Sequence, residues 1–256
     1  MTSEDMRDEF YKCEDYFFRA ISKQCLDFEG MGTAYLTGIG SAYLNPLFLR
    51  KNQSPLKDVL EKVKSFYEAY SCPWAVIIPK DLTKEVHIKG LRSFDFHLCE
   101  KSVAMAIELG EHTKFESSQW FEIKRVDHDL KDWMIPLGGA FGGTQEMTRH
   151  YAEIHVSAVS KKAQFYHFTA YDKNLPVSSL TLSLDQKSAC LNDVGTLPEF
   201  QKRGFASSLI LYALSEAQKL GATACFLDAS VVGFSLYQRL GFTPLFKNNI
   251  FLEKSK

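Results

Sequence analysis

No CxxC pair occurs in this 256-residue chain, although six cysteines do, at 13, 25, 72, 99, 190 and 225. Structural zinc sites are built from closely spaced ligand pairs, so no metal is expected. Cys190 and Cys225 stand in apolar runs (Ala-Cys-Leu and Ala-Cys-Phe), which suits small buried side chains in a reduced, intracellular protein. No stretch approaches roughly eighteen uninterrupted apolar residues, so no membrane-spanning helix is expected. Charge of one sign is missing too: 30 Lys+Arg stand against 31 Asp+Glu, a net of −1. That balance gives nucleic acid or an anionic membrane no long-range attraction, and neither is expected as a partner. The opening MTSEDMRDEF is charged and acidic, unlike a secretory signal, and a cytoplasmic location is expected.

What is present is a globular composition, 45% hydrophobic, 24% charged and 13% aromatic. The length suits one to two domains with a core that needs no staple. Patterning divides the chain near 110–120, into residues 1–115 and 118–256. In the first half, apolar residues at three- and four-residue steps from Phe10 to Cys25 predict a helix over 5–28, ended by Gly30 and Gly32. The run TAYLTGIGSAYL predicts a hairpin. Ser54-Pro55 opens a helix to about Tyr70, and WAVIIP reads as a buried strand. A helix near 82–91 and strands at 94–99 and 103–108 complete this half.

The second half begins with a strand at FEIKRV, a helix over Asp129–Leu137, the loop GGAFGG and a helix to about Val159. Strands AQFYHFTAY, VSSLTLSLD and SACLNDVGTL follow, the first two separated by the turn DKNLP. A helix from Ala206 to Leu220, the strand ACFLDAS, the helix VVGFSLYQRL and strands TPLF and IFLE close the chain. The order β-α-α-β-β-β-α-β-α-β predicts an α/β fold, a mixed sheet with helices on its faces. The two halves end in similar order (KGLRSFDFHLCEKSVAMAIEL and QRLGFTPLFKNNIFLEK), which suggests a duplicated architecture.

The most informative stretch is Thr196-Leu-Pro-Glu-Phe-Gln201-Lys202-Arg203-Gly204-Phe205-Ala206, joining an apolar strand to an amphipathic helix. The first amides of a helix have no intrahelical acceptor and sit at the positive end of its dipole. Gly204 and Ala206 let an anion approach them, and Lys202 and Arg203 add charge, so the turn suits a pyrophosphate. An ordinary basic strand-to-helix loop is the alternative. The arrangement Gln-x-x-Gly-x-Ala between strand and helix resembles the pyrophosphate loop of the GNAT superfamily of N-acetyltransferases. Downstream, Ser235-Leu-Tyr237-Gln-Arg-Leu-Gly241-Phe242 resembles that family's second signature, and the likeness covers residues 121–256.

The resemblance implies a GNAT fold, with a twisted mixed sheet flanked by helices and two GNAT-like halves in tandem. The first of these lacks a pyrophosphate loop. It implies acetyl-CoA as co-substrate, with the strands at 188–197 and 223–229 splayed apart. Backbone groups of Val194, Gly195, Thr196 and Leu197 then hold the pantetheine arm. Amides of Gln201, Lys202, Arg203, Gly204, Phe205, Ala206 and Ser207 hold the pyrophosphate. Ser230 stands where many members place an asparagine that contacts the coenzyme. Tyr237 takes the general acid's position, with a core aromatic as the other reading.

The general base is less direct. Asn192 occupies the usual glutamate position and cannot accept a proton. Asp193 beside it faces the other side of a regular strand and substitutes only if a bulge re-aims it; a water chain is the other route. His150, Tyr151 and Glu153 follow GGAFGG, a region that borders the acceptor pocket in the family. Transfer of an acetyl group to a primary amine of a small molecule or protein is the expected activity. A non-catalytic acyl-CoA-binding sensor or assembly module is the alternative. Oligomeric state is not readable.

Overall fold

The computed structural model describes residues 2–51, 56–110 and 121–254. In chain order its elements are α1 (Ser3–Ile21), β1 (Gln24–Phe28), β2 (Gly32–Leu36), β3 (Pro46–Leu49), α2 (Leu56–Glu68), β4 (Ala75–Pro79), α3 (Glu85–Arg92) and β5 (Phe96–Glu108). They continue with β6 (Glu122–Arg125), α4 (Lys131–Phe141), α5 (Gln145–Ser160), β7 (Phe165–Asp172), β8 (Leu175–Asp185) and β9 (Ser188–Thr196). The last are α6 (Phe205–Lys219), β10 (Ala224–Ser230), α7 (Phe234–Arg239) and β11 (Thr243–Glu253). Among the described residues no helix is long and apolar enough to cross a membrane, and no group of three or more His, Cys, Asp or Glu could hold a metal ion.

Several expectations change in physically simple ways. The first helix stops at Ile21, and Cys25 lies in β1, which turns through Gly30 (φ 69°) to pair antiparallel with β2. Gly32 serves a close approach, because a Cβ there would stand 1.9 Å from the Phe48 carbonyl oxygen. The segment TAYLTGIGSAYL is not itself a hairpin. Its last residues form a single 3-10 turn at Ala42–Leu44, and β2 pairs instead with β3. Residues 94–108 give one strand rather than two, as do TPLF and IFLE, since neither break carries turn geometry. Ser54 and Pro55 lie outside the described residues.

The chain packs as two compact units, neither continuous in sequence. One comprises Met1–Ala20, Met105–Leu227 and Ser235–Thr243; the other comprises Ile21–Ala104, Asp228–Phe234 and Pro244–Lys256. In the latter the strand order is β1-β2-β3-β4-β11-β5. Fully apolar β4 sits between parallel β3 and antiparallel β11. Helix α2 turns Val59, Leu60, Val63 and Tyr67 inward at helical spacing, and Trp74 stacks on Tyr67 at 5.2 Å. Buried Asn45 ties the β2–β3 connection by accepting from Thr37 and Gly38 amides and donating to Ile39, Ser41 and Pro73 carbonyls.

In the unit that carries the phosphate-loop motif, β6, β7, β8 and β9 pair antiparallel in that order, and β9 pairs parallel with β10. The β7–β8 turn is made by Lys173 and Asn174, both left-handed (φ 50° and 71°), the backbone that a two-residue hairpin requires. Helix α1 belongs to this unit: Phe17 stacks on Phe165 at 5.4 Å, and Gln164 donates its amide to the Tyr16 hydroxyl. The element order from β6 onward is the expected β-α-α-β-β-β-α-β-α-β, a mixed α/β arrangement.

Candidate functional site

Strand β9 departs from regularity between Asn192 and Gly195. Its register against β8 passes from Thr181↔Asn192 to Ser179↔Gly195, so β9 advances one residue more than its partner. The extra residue is a bulge at Asp193, whose φ is 57°. This breaks the strict alternation of faces, and the Asp193 carboxylate accepts from the Tyr151 hydroxyl at 3.0 Å. Asn192 instead donates to Ser183 Oγ at 3.2 Å. On the other edge, the pairing with β10 ends at Cys190↔Phe226 although both strands continue.

Close packing shapes the rest of β9. A Cβ on Gly195 would come within 3.2 Å of the Pro136 carbonyl oxygen and 3.3 Å of Leu137 Cα, so α4 lies directly on this glycine. Ser178 Oγ donates to the Gly195 carbonyl at 2.9 Å and meets Thr196 Oγ1 at 2.8 Å. The Leu197 amide donates to Val177. Val194 is partly exposed. GGAFGG is not the open loop expected: Gly138 to Phe141 complete α4, and Gly142 (φ 68°) ends it in left-handed form. Gly138 and Gly139 face Thr148 and Leu197, so they serve packing.

Beyond β9, Gln201 folds back to donate to the Thr196 carbonyl at 3.3 Å. Lys202 (φ 60°) and Gly204 (φ 89°) are left-handed, and a Cβ built on Gly204 would meet nothing within 4 Å. Left-handed residues among right-handed ones aim successive amides into a shared concavity that suits anions. Phe205, buried, starts α6; Ala206 and Ser207 follow in its first turn, half-buried. Arg203 is engaged elsewhere, 3.2 Å from Asp172 and over the Phe200 and Phe205 rings. Lys202 is exposed as well, the second cation of the loop.

Tyr237, on α7, is largely buried with its ring edge-on to Phe242 at 5.9 Å. Burial pushes its phenol well above the ordinary value, so it holds its proton at neutral pH. Ser230 Oγ accepts from the Gly233 amide at 3.2 Å, a local turn contact. On α5, Tyr151 faces inward with Thr148 and His155. Glu153 faces solvent, 3.8 Å from Arg149, and His150 is half-exposed. The three residues therefore do not share one surface.

Three polar residues that the sequence reading missed lie behind Asp193. His155 Nδ1 is 2.9 Å from His167 Nε2, and His167 Nδ1 is 3.1 Å from Asp127 Oδ1. His155 Nε2 lies 3.8 Å from Asp193 Oδ2. The one signal in sequence is His167 within a largely aromatic, apolar strand. In the other unit, Asp228 accepts from Ser102 Oγ at 2.6 Å and Asn248 Nδ2 at 3.4 Å.

Residues 163–244 match the family model of the acetyltransferase (GNAT) domain. The structure of a GCN5-related N-acetyltransferase from Kribbella flavida aligns with TM-score 0.70 and 15% identity, over 98% of this chain and 96% of its own. A functionally unknown conserved protein from Staphylococcus epidermidis aligns with TM-score 0.69 and 16% identity, over 92% and 96%. A tandem GNAT protein from the clavulanic acid biosynthesis pathway aligns with TM-score 0.61 and 9% identity, over 94% and 87%. No curated protein matches the sequence. The chain thus has the fold of these GNAT proteins, the tandem one included, and its match to the acetyltransferase (GNAT) family model lies within residues 163–244.

Proposed function

We propose that the protein is an acetyl-CoA-dependent N-acetyltransferase that moves the acetyl group directly to a primary amine of a small molecule or protein. The observation that carries this reading is the stretch from Asp193 to Gly204: a bulged carboxylate, a strand edge whose parallel pairing has ended, and a left-handed glycine opening α6. Val194 to Leu197 offer backbone to the pantetheine arm, as a strand offers its edge to a peptide. The amides from Gln201 through Ser207 hold the pyrophosphate, with Lys202 supplying charge. The halves 1–115 and 118–256 are, in this reading, the two repeats, and the second carries the chemistry.

An alkyl ammonium has a pKa of about 10.4 and a thiol about 8.5, so the attacking nitrogen must lose protons and the leaving sulfur must gain one. Asp193 takes the first proton from the ammonium. The free amine attacks the thioester carbon, the C–S bond breaks, and Tyr237 donates its phenolic proton to the departing thiolate. Transfer of the remaining surplus N–H proton restores the phenol. Among the described residues the Tyr237 hydroxyl has no hydrogen-bond partner, which leaves it available to sulfur. Tyr151 holds Asp193 Oδ1 and thereby orients the base.

Coenzyme binding by calorimetry and thiol release over a panel of amines test the reading. Gly204→Glu is expected to abolish coenzyme affinity. Tyr237→Phe is expected to keep that affinity and lower kcat about 10²-fold. An unchanged affinity in the first variant, or an unchanged rate in the second, would remove the corresponding role.

A further inference from the structure

Asp228 has no part in the transfer as written, and its surroundings are unusual for an aspartate. It stands on β10 two residues beyond Phe226, the last residue that pairs with β9. With Ser102 of β5 and Asn248 of β11 it belongs to one compact unit, where β11, β5 and β10 lie side by side. The Ser102 hydroxyl donates to Asp228 Oδ2 at 2.6 Å, and Asn248 Nδ2 donates to Oδ1 at 3.4 Å. Both of these donors are buried, whereas Asp228 is open to solvent.

A surface carboxylate is ordinarily well hydrated or paired with a cation, and Asp228 is neither. Enough protein surrounds it that burial pushes its carboxyl up to about 6, against the pull of the two donors. Among the described residues no charged side chain acts on it. The titratable neighbours on the packed strands are all directed elsewhere. Glu100 of β5 accepts from the Tyr43 hydroxyl at 2.5 Å. Lys101 and Lys247 flank Ser102 and Asn248, so strand alternation turns them to the opposite face. Cys225, earlier on β10, is buried and its thiol is held protonated. At neutral pH Asp228 is therefore an anion in a recess, reachable from solvent and without a countercharge from the described residues.

Each carboxylate oxygen accepts one donor and keeps lone pairs for another. Ser102 Oγ, its hydrogen spent on Oδ2, is an acceptor too. Three acceptors set in different directions match the three N–H bonds of a primary ammonium, and the negative charge strengthens each contact. We propose that Asp228, held in place by Ser102 and Asn248, binds the alkylammonium group of the acceptor. The amine arrives in its protonated form, docks on this carboxylate, and loses its proton only afterwards. No proton moves to Asp228 in this step. The inference rests on the acceptor being a primary amine, as the acetyl-transfer reading has it.

The test uses the full chain with aspartate labelled with 13C at Cγ, the Asp228 resonance being assigned by its loss in Asp228→Asn. The probe is n-butylammonium chloride, with n-butanol as the uncharged control. At neutral pH the ammonium is expected to move the Asp228 resonance saturably and further than any other aspartate resonance, and butanol is expected to leave it in place. The titration midpoint of Asp228, about 6 in the free protein, should fall by about one pH unit under saturating butylammonium, because a bound cation favours the charged carboxyl. In kinetics, Asp228→Asn keeps an acceptor for Ser102 but removes the charge. The KM for the amine should rise about tenfold to a hundredfold while coenzyme affinity is retained. An Asp228 resonance that moves no further than those of the other aspartates, or an Asp228→Asn enzyme with the parent's KM, overturns the proposal. Saturable butylammonium binding without thiol release on any amine sinks the acetyl-transfer reading and leaves the ammonium site standing.

Discussion

At Asp193 the backbone is left-handed, the carboxyl is almost wholly covered, and one of its oxygens lies 3.8 Å from His155 Nε2. Burial pushes its pKa up to about 6, against the pull of the Thr181 and Tyr151 hydroxyls. The folded state thus binds this proton more tightly than the unfolded chain. The associated stability is complete below about pH 4 and is lost as pH rises through about 6. Asp193→Asn retains an acceptor for Tyr151 and cannot ionise, so it carries no buried charge at either pH. It is expected to be more stable than the parent at pH 8 by about 1–3 kcal/mol and to differ little at pH 4. Urea unfolding at the two pH values checks this; a destabilised variant at pH 8 would contradict it. Turnover should be lost in the same variant.

The residue-level reading from sequence was uneven for a physical reason. Gly204 and Lys202 announce themselves, because a strand, a basic turn and a helix follow in order. The re-aiming of Asp193 depends on a one-residue mismatch between β8 and β9, and both strands alternate regularly enough to hide it. The His155–His167 pair joins a helix to a strand, so nothing in local spacing could relate them.

Two glycines near the loop call for opposite treatment at the level of elements. Gly195 is where α4 rests on β9, and the atoms that an added Cβ would press on are the Ala140 Cβ and the helix backbone at Pro136 and Leu137, none of which can rotate aside. Gly195→Ala is expected to cost about 1–3 kcal/mol, read as a lowered Tm. Gly204→Ala meets no such obstacle and loses only about 1–2 kcal/mol to its left-handed backbone. Coenzyme affinity separates them further: Gly204→Ala should weaken it without Gly195→Ala's displacement of α4. Equal coenzyme affinity in the parent and Gly204→Ala would count against the loop assignment. The same packing accounts for GGAFGG, which reads as a loop in sequence and folds largely as helix. Glycines there allow helix and neighbours to approach, and composition alone cannot tell that from a flexible loop. At β1 the error ran the other way, since pairing across the Gly30 turn overrode a helical spacing that continued by chance.

For the whole molecule, patterning located nearly every element but not the unit to which each packs. Division near 110–120 follows the likeness of the two halves. Compactness follows contacts, and it assigns α1 to the unit of β6 to β10 and residues 244–256 to the unit of β1 to β4. Phe10, Cys13 and Phe17 of α1 are buried. A fragment of residues 118–256 is therefore expected to lack cooperative unfolding and to give a collapsed, poorly dispersed amide spectrum. A sharp, dispersed spectrum from that fragment would show that α1 is dispensable.

The pairing of β4 with β11, Ala75 with Leu252 and Pro79 with Asn248, also carries a temporal cost. During translation the early strand must wait, with its face toward β11 uncovered, until that strand, far downstream in sequence, has left the ribosome. Such distant closure is slow, and it makes the nascent form a natural client for chaperones that shield exposed strands.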